Sequence, residues 1–243
     1  MCIRDRYSSR AWHLSEETHA TNWATQQMSR IIKRRDPTRP AFWYISYRHP
    51  HPPLVPLQTY LDFYQHVSID TPYLGHWIAD SEDVAYSMHA NYSRGAEINI
   101  DQSLAARRAF YALCTHIDHQ LRVIIGTLRE EGVLNGTIIC FTSDHGDMLG
   151  NHNMWAKRLF YEYSANIPMI LVDGTNGKQI GYDCVDDRLV GWQDVMPTLL
   201  DMANIDIPET VEGFSMAGNQ KRDWFYAEVG EDDHATRMIH DGR

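Results

Sequence analysis

Residues 137–150 read TIICFTSDHGDMLG, and the fold prediction rests on this stretch. A short, nearly continuous apolar strand ends abruptly at a carboxylate and an imidazole, Asp144 and His145, and then enters a glycine-bracketed loop. Continuous apolar strands of this kind are typical of parallel sheets that are covered on both faces. In α/β folds, ligands bind beyond the carboxyl ends of such strands. The stretch therefore predicts a ligand site around Asp144 and His145.

The segments on either side of this strand alternate between helix and strand patterns. Apolar residues three or four positions apart, from residue 110 to residue 128, predict a long helix that Asp101 caps and Gly132 ends. The other predicted elements are strands at residues 41–47, 168–172 and 224–229 and helices at residues 15–35, capped by Ser15, and 194–203. Residues 65–100 predict an irregular excursion. This alternation predicts an α/β fold with a largely parallel central sheet flanked by helices.

Composition and charge exclude several classes of function. The chain has 243 residues, a net charge of −10 and 43% hydrophobic residues, which excludes fibrous and wholly disordered proteins. The basic run at residues 33–35 closes a predicted helix, where cations complement the helix dipole. We therefore expect no nucleic-acid partner. We also expect no membrane span, because no apolar run approaches the roughly 18 residues that a span needs.

Four side chains are candidates for chemistry. Asp144 directly follows apolar sequence, where an unpaired carboxylate would be costly to desolvate, so we expect a compensating cation. The alternative is that Asp144 caps backbone donors in a strand-end turn. Lys157 is either a surface charge or a clamp for an anionic group near the loop. His51, in a proline-stiffened loop, is either a structural hydrogen-bonding group or a proton donor.

Together these segments resemble the sulfatase family of the alkaline-phosphatase superfamily. Residues 50–54 (PHPPL) look like the family's P-H-x-P motif, which follows a strand. Residues 143–150 look like its S-D-H-G-D-x-x-G loop, and residues 151–168 are similar to its H-x-x-W-x-K segment with the proline-led strand beyond. The resemblance covers residues 15–243 with the motifs in the family's order, and the block from residue 144 to residue 157 is its most specific part.

The resemblance implies a role for each candidate. Asp144 and His145 would be metal ligands, since both match the motif positions. The cation would be divalent, Ca²⁺ in the first place, with Mn²⁺ or Mg²⁺ as alternatives. Lys157 would contact the sulfate, and His51 would bind the sulfate or protonate the leaving alkoxide.

The resemblance also suggests roles for three further residues of the same segments. His152 and Trp155 would shape the substrate rim, although packing explains them equally well. Asp147 is expected to fix the loop rather than to bind the ion. The partner implied by the resemblance is a small-molecule or carbohydrate sulfate ester.

The activity implied is that of a sulfuric ester hydrolase, similar to arylsulfatases and choline-sulfatases. The family's mechanism uses a formylglycine made from Cys or Ser in C/S-x-P-S-R, and this sequence contains no such segment. Two alternatives stay open. One is a phosphodiesterase or phosphonate monoester hydrolase of the same superfamily, and the other is a non-catalytic pseudoenzyme. The resemblance suggests a periplasmic, extracellular or lysosomal protein.

The start of the chain predicts a fragment. Residues 1–6 (MCIRDR) resemble a translated sequencing-adapter sequence, so residues 1–10 are expected to be a non-native or disordered leader. Residues 11–243 are then a partial sulfatase catalytic domain, incomplete at both ends, with the formylglycine in the missing N-terminal part. We expect these residues by themselves to be inactive. The sequence carries no indication of the oligomeric state.

Overall fold

A computed structural model describes residues 7–75, 99–175 and 180–242, with the side chain of residue 233 excepted. The described residues form a mixed α and β fold, which confirms the α/β expectation. The helices are α1 (Ala20–Lys33), α2 (Gln58–Phe63), α3 (Ile100–Glu130), α4 (Glu162–Ala165) and α5 (Val195–Met202). The strands are β1 (Ile138–Thr142), β2 (Met169–Asp173), β3 (Phe225–Val229) and β4 (Thr236–His240).

These elements divide into two compact units. Among the described residues, the first unit holds residues 7–75, 99–134 and 149–155. The second unit holds residues 135–148, 156–175 and 180–242. The motif-bearing segment after β1 therefore belongs to the second unit, except for residues 149–155.

The long helix α3 organises the first unit, as its apolar periodicity predicts. It begins after Asn99, whose side chain accepts a hydrogen bond from the Gln102 N–H at 3.0 Å, so Asn99 rather than Asp101 is the N-cap. Small and apolar side chains on one face of α3 pack into a core with residues from the loops. The core cluster is Tyr7, Leu54, Ala106, Ala109, Leu113 and Leu149.

Helix α1 packs against α3 but begins later than predicted. The 3₁₀ turn Glu16–Thr18 separates Ser15 from the helix, and Ser15 makes no capping hydrogen bond with its side chain. The N-cap is instead His19, whose side chain accepts from the Thr21 N–H. The prediction of Ser15 as the cap is therefore wrong, because residue type alone does not reveal the intervening turn.

In the second unit, the pairing of the strands differs from the prediction. Strands β1 and β2 pair antiparallel, with Cys140 opposite Leu171, and β3 and β4 also pair antiparallel. The parallel pairing expected for residues 137–143 and 168–172 is therefore wrong. A parallel pair needs a crossover, usually an α-helix, and between β1 and β2 the chain has only the 3₁₀ turn Asn151–Asn153 and the one-turn helix α4. Neither strand is fully buried, since every residue of β1 is partly exposed and Ile170 and Val172 of β2 are exposed.

Two further predicted segments have different outcomes. Residues 41–47 form no strand with any described residue, and Phe42 is 80% exposed, so the strand prediction there is wrong. Aromatic and β-branched residues favour a pleated surface only where a neighbouring strand is available to pair. The excursion predicted over residues 65–100 includes residues 76–98, which lie outside the described residues.

The first described residues take part in the packing of the first unit. Tyr7 belongs to the core cluster, and Ser9 forms a parallel bridge with Leu54. The assignment of residues 1–10 to a leader stays a prediction, and residues 1–6 lie outside the described residues. Among the helices that the structure describes, none combines the length and the apolar character needed to cross a membrane.

Candidate functional site

The loop from Ser143 to Met148 leaves β1 and is held to a later segment by main-chain hydrogen bonds. The Gly146 N–H donates to the Ser164 carbonyl at 2.9 Å, and the Met148 N–H donates to the Ala156 carbonyl at 2.8 Å. A Cβ at Gly146 would lie 2.1 Å from the Tyr163 carbonyl oxygen, so this close approach requires glycine. The loop that carries Asp144 and His145 is therefore fixed against the segment that contains Lys157.

Asp144 and His145 interact directly. The Asp144 Oδ1 accepts the His145 backbone N–H at 3.1 Å, and the His145 Nε2 lies 3.2 Å from the Asp144 Oδ2. The other ring nitrogen, Nδ1, lies 2.7 Å from the Gly146 carbonyl oxygen, which can only accept a hydrogen bond. The Nδ1 atom must therefore carry a proton, and in a neutral ring Nε2 presents a lone pair to the carboxylate. Two acceptors face each other unless the ring is protonated or a cation lies between them.

The burial of Asp144 differs from the expectation. Its side chain is 77% exposed, whereas the His145 side chain is 29% exposed. The argument from desolvation therefore does not apply to Asp144, because β1 ends before the carboxylate and the loop turns outward. Its contact with the His145 N–H is the backbone cap that the sequence left open as the alternative.

The same geometry fits two neighbouring ligands of one cation. A separation of 3.2 Å between a carboxylate oxygen and an imidazole nitrogen suits adjacent ligands at about 2.2 Å from a metal ion. Within the described ranges, no three His, Cys, Asp or Glu side chains come together as a complete metal site. Asp144 and His145 would therefore be part of a coordination shell.

The segment after the loop contains Lys157 and also receives the Asp147 side chain. The Asp147 Oδ1 accepts the Ala156 N–H at 3.2 Å, directly before Lys157 in the chain. This contact agrees with the expectation that Asp147 fixes the loop. Lys157 itself is partly buried, in the same unit as Asp144 and His145.

His51 lies in the first unit, in the loop between His49 and Val55. Its backbone N–H donates to the Arg48 carbonyl at 3.2 Å, and its Nδ1 lies 2.8 Å from the Pro52 carbonyl oxygen. Because that oxygen can only accept, the Nδ1 of His51 carries a proton. In the neutral ring the basic nitrogen is therefore Nε2.

His152 and Trp155 also belong to the first unit. The Trp155 ring packs on Tyr7 with ring centroids 4.4 Å apart and lies at the edge of the core cluster. The His152 ring meets Tyr73 edge-on at 5.3 Å, and its backbone N–H donates to the Tyr73 carbonyl at 2.7 Å. Packing accounts for both contacts, and a role at the substrate rim stays a prediction.

Sequence reasoning missed the buried guanidinium that holds residues 149–155. Arg107 is 2% exposed and donates to the Leu149 carbonyl at 3.1 Å and to the Asn151 Oδ1 at 2.9 Å. It also pairs with Asp70. The sequence contains a sign of this burial. Arg107 stands three residues before Phe110, and this spacing places it on the apolar face of α3.

A sulfatase family model and curated sulfatases both match this chain. The sulfatase family model matches residues 4–205. An arylsulfatase of Clostridium perfringens (strain 13 / Type A) is 39% identical over 208 residues, which is 86% of this chain and 43% of the relative. A choline-sulfatase of Rhizobium meliloti (strain 1021) is 30% identical over 191 residues, which is 76% of this chain and 36% of the relative. The chain thus spans less than half the length of these curated relatives.

A solved structure supports the fold assignment. The phosphonate monoester hydrolase of Agrobacterium radiobacter superposes with a TM-score of 0.77 at 20% identity. The match covers 94% of this chain and 48% of that chain. At this identity the likeness shows the fold alone.

Proposed function

The chain belongs to the sulfatase family, and on that premise we propose that the whole protein hydrolyses sulfate esters with the help of a divalent cation held by Asp144 and His145. The observation that carries this proposal is the pair of facing acceptors. The Asp144 Oδ2 and the His145 Nε2 are 3.2 Å apart, with the ring proton committed to Gly146 on the other side. A cation between them would relieve the repulsion of the two lone pairs.

The donor set indicates which cations suit the site. A carboxylate oxygen is a good ligand for Ca²⁺, Mg²⁺ and Mn²⁺, and an imidazole nitrogen favours Mn²⁺ over the other two. When bound, such a cation would stabilise negative charge on the sulfuryl oxygens of the substrate. Asp144 and His145 would hold it, and the hydrogen bond from His145 to Gly146 would keep the ring in the ligating orientation.

Lys157 and His51 would act on the substrate itself. The Lys157 ammonium would bind a sulfuryl oxygen as a compact positive charge, and its partial burial would strengthen that attraction. In its protonated form His51 would protonate the leaving alkoxide; since Nδ1 stays bonded to Pro52, the proton would leave from Nε2 and the ring would become neutral. We assign no nucleophile to this chain, because the sequence has no C/S-x-P-S-R segment.

The proposal is tested by hydrolysis assays on the protein in its native full length. We expect cleavage of p-nitrophenyl sulfate to fall at least about 100-fold in both variants, Asp144→Asn and Lys157→Ala. The first would weaken the binding of the cation and the second would remove an ammonium, and both positive charges would stabilise the developing anion. Asp206→Asn and Lys221→Ala are matched controls, since both side chains are exposed and lie in the same unit.

The assays separate the proposal from its alternatives. Equal rates in the Lys157→Ala and Lys221→Ala variants would contradict the role of Lys157. Faster cleavage of a phosphonate monoester than of the sulfate ester would favour the other chemistry of the superfamily. A full-length protein that cleaves neither substrate with Ca²⁺, Mn²⁺ or Mg²⁺ supplied would indicate a pseudoenzyme.

A further inference from the structure

Three buried histidines lie together in the first unit, outside the loop that carries Asp144. His19, His49 and His116, here called the histidine cluster, are 0%, 7% and 1% exposed. The ring of His19 stacks on that of His49 with centroids 4.7 Å apart and is tilted against that of His116 at 4.8 Å. The cluster therefore joins the start of α1, the loop that carries His51, and the middle of α3.

Both ring nitrogens of His19 are used. Its Nδ1 accepts the Thr21 N–H at 3.3 Å, which caps α1. A nitrogen that accepts a hydrogen bond has no proton, so the proton of the ring lies on Nε2. The Nε2 is 3.3 Å from the Val55 carbonyl oxygen, to which it donates. His19 must be neutral to make both contacts.

The other end of the His51 loop reaches the same helix start. The His49 Nδ1 lies 3.2 Å from the Thr21 Oγ1, and the His49 ring rests on His19. His49 precedes His51 by two residues and Val55 follows it by four. Main-chain bonds from Arg10 to Leu54 and from Trp12 to Pro56 add support on the Val55 side.

We propose that His19 is a positioning residue for His51, because its neutral ring ties both ends of the loop from His49 to Val55 to the start of α1. This inference rests on the proposed role of His51 as the proton donor to the leaving group. His19 does not act on the substrate. It fixes the short loop from both sides, so that the His51 ring is presented in one orientation.

The groups around the cluster favour neutral rings. Burial lowers the pKa of His49 to about 4, and the neighbouring groups His19, Arg48 and His51 also lower it, because protonating His49 beside other cations or protonatable rings is unfavourable. Burial lowers the pKa of His116 to about 3, with His19, His49 and His119 contributing. Burial also lowers the pKa of His19, although the bond to Val55 and the charge of Glu16 oppose this. The contacts of His19 are therefore intact at neutral pH.

The first arm of the test is nitrogen NMR of the histidine rings in this chain at neutral pH. We expect a neutral His19 with the proton on Nε2 and a His51 ring whose Nδ1 carries a proton. In the His19→Asn variant, the asparagine can still cap α1 but cannot reach Val55, so the His51 ring should become a mixture of tautomers. Thr21→Val, which removes the contact with His49, should act in the same direction.

The second arm uses the full-length protein and two leaving groups. Nitrophenolate leaves without a proton, whereas an alkoxide needs one, so a misplaced proton donor slows only the alkyl ester strongly. For His19→Asn we expect kcat for an alkyl sulfate to fall about 10- to 100-fold and kcat for p-nitrophenyl sulfate to change less than about threefold. His119→Asn is the control, because that ring contacts Tyr60 rather than the loop.

Each outcome has one meaning. Protonation of His19 on Nδ1 in the wild type, or unchanged His51 tautomers in both folded variants, would overturn the inference. An equal loss for the two esters would also overturn it, since a general loss of structure does not distinguish leaving groups. If His51→Asn itself shows no preference for the better leaving group, the proposed role of His51 fails, while the NMR arm still decides whether His19 holds the loop.

Discussion

Two aspartates of the second unit are placed in opposite environments. Asp194 is fully buried, and its carboxylate accepts two hydrogen bonds from the Arg222 guanidinium at 2.6 and 2.8 Å and the N–H groups of Gly191 and Phe214. Asp144 is 77% exposed and faces an imidazole nitrogen that, in a neutral ring, cannot donate to it. The chain satisfies the first carboxylate completely from its own groups, and the second is the one that we propose as a cation ligand.

The two carboxylates differ in how the chain compensates their negative charge. Burial by itself would raise the pKa of Asp194, but Arg222 and the two backbone N–H groups outweigh it and lower the pKa below its ordinary value. Arg222 in turn stacks on Phe214, with its guanidinium carbon 4.3 Å from the ring centroid. Every partner of Asp194 thus comes from within the second unit, which is the mark of a structural pair.

The largest expected effect comes from breaking the structural pair. Arg222→Met would leave a buried carboxylate without its cation, so we expect the free energy of unfolding to fall by about 3–5 kcal/mol. Urea denaturation measures this change in the free energy of unfolding. Arg237→Met, which removes an exposed pair with Glu228, is the control and should lower the free energy of unfolding far less. Similar losses of unfolding free energy in the two variants would show that the Asp194–Arg222 pair does not stabilise the fold more than an exposed pair does.

Acid should destabilise the folded chain through the histidine cluster. These rings are buried, as Asp194 is, but they fit their surroundings only in the neutral form. The unfolded chain takes up protons as the pH falls below 6.5, while the folded His49 and His116 stay neutral until about 4 and about 3. Stability is therefore complete above pH 6.5 and declines below it, by up to about 1.4 kcal/mol per pH unit for each histidine. Urea denaturation at a series of pH values measures this slope.

The control for the acid effect is His116→Gln, because glutamine can still donate to the Asn22 side chain as His116 does but does not titrate. Its slope between pH 6.5 and 4 should be shallower by about 1 kcal/mol per pH unit. A slope identical to that of the wild type would mean that His116 is already protonated in the folded chain.

The smallest expected change in stability is at Asp144. Without added metal, Asp144→Asn should alter the free energy of unfolding by less than about 0.5 kcal/mol, because the side chain is exposed. It should nevertheless weaken Mn²⁺ or Ca²⁺ binding by about tenfold or more, as measured by calorimetric titration. Asp206→Asn is the matched control. Tight binding that survives the Asp144→Asn change would place the cation elsewhere.

Local sequence patterns predicted individual elements well. The periodicity from residue 110 to residue 128 falls inside α3, and the apolar runs before Ser143 and after Ile167 become β1 and β2. These features depend on neighbours within a few positions along the chain. The family resemblance, which the family model and the relatives confirm, rests on the same kind of local motif.

The sequence by itself thus determined the family, the elements α3, β1 and β2, and the identity of the loop that carries Asp144 and His145. Only the tertiary structure decided the antiparallel pairing of β1 with β2, the exposure of Asp144, the burial of Asp194 against Arg222, and the part of His19 in holding the His51 loop. The physical reason is that direction of pairing, burial and charge compensation depend on residues distant in the chain. His19 and Val55 are 36 positions apart, and no local pattern records such a contact.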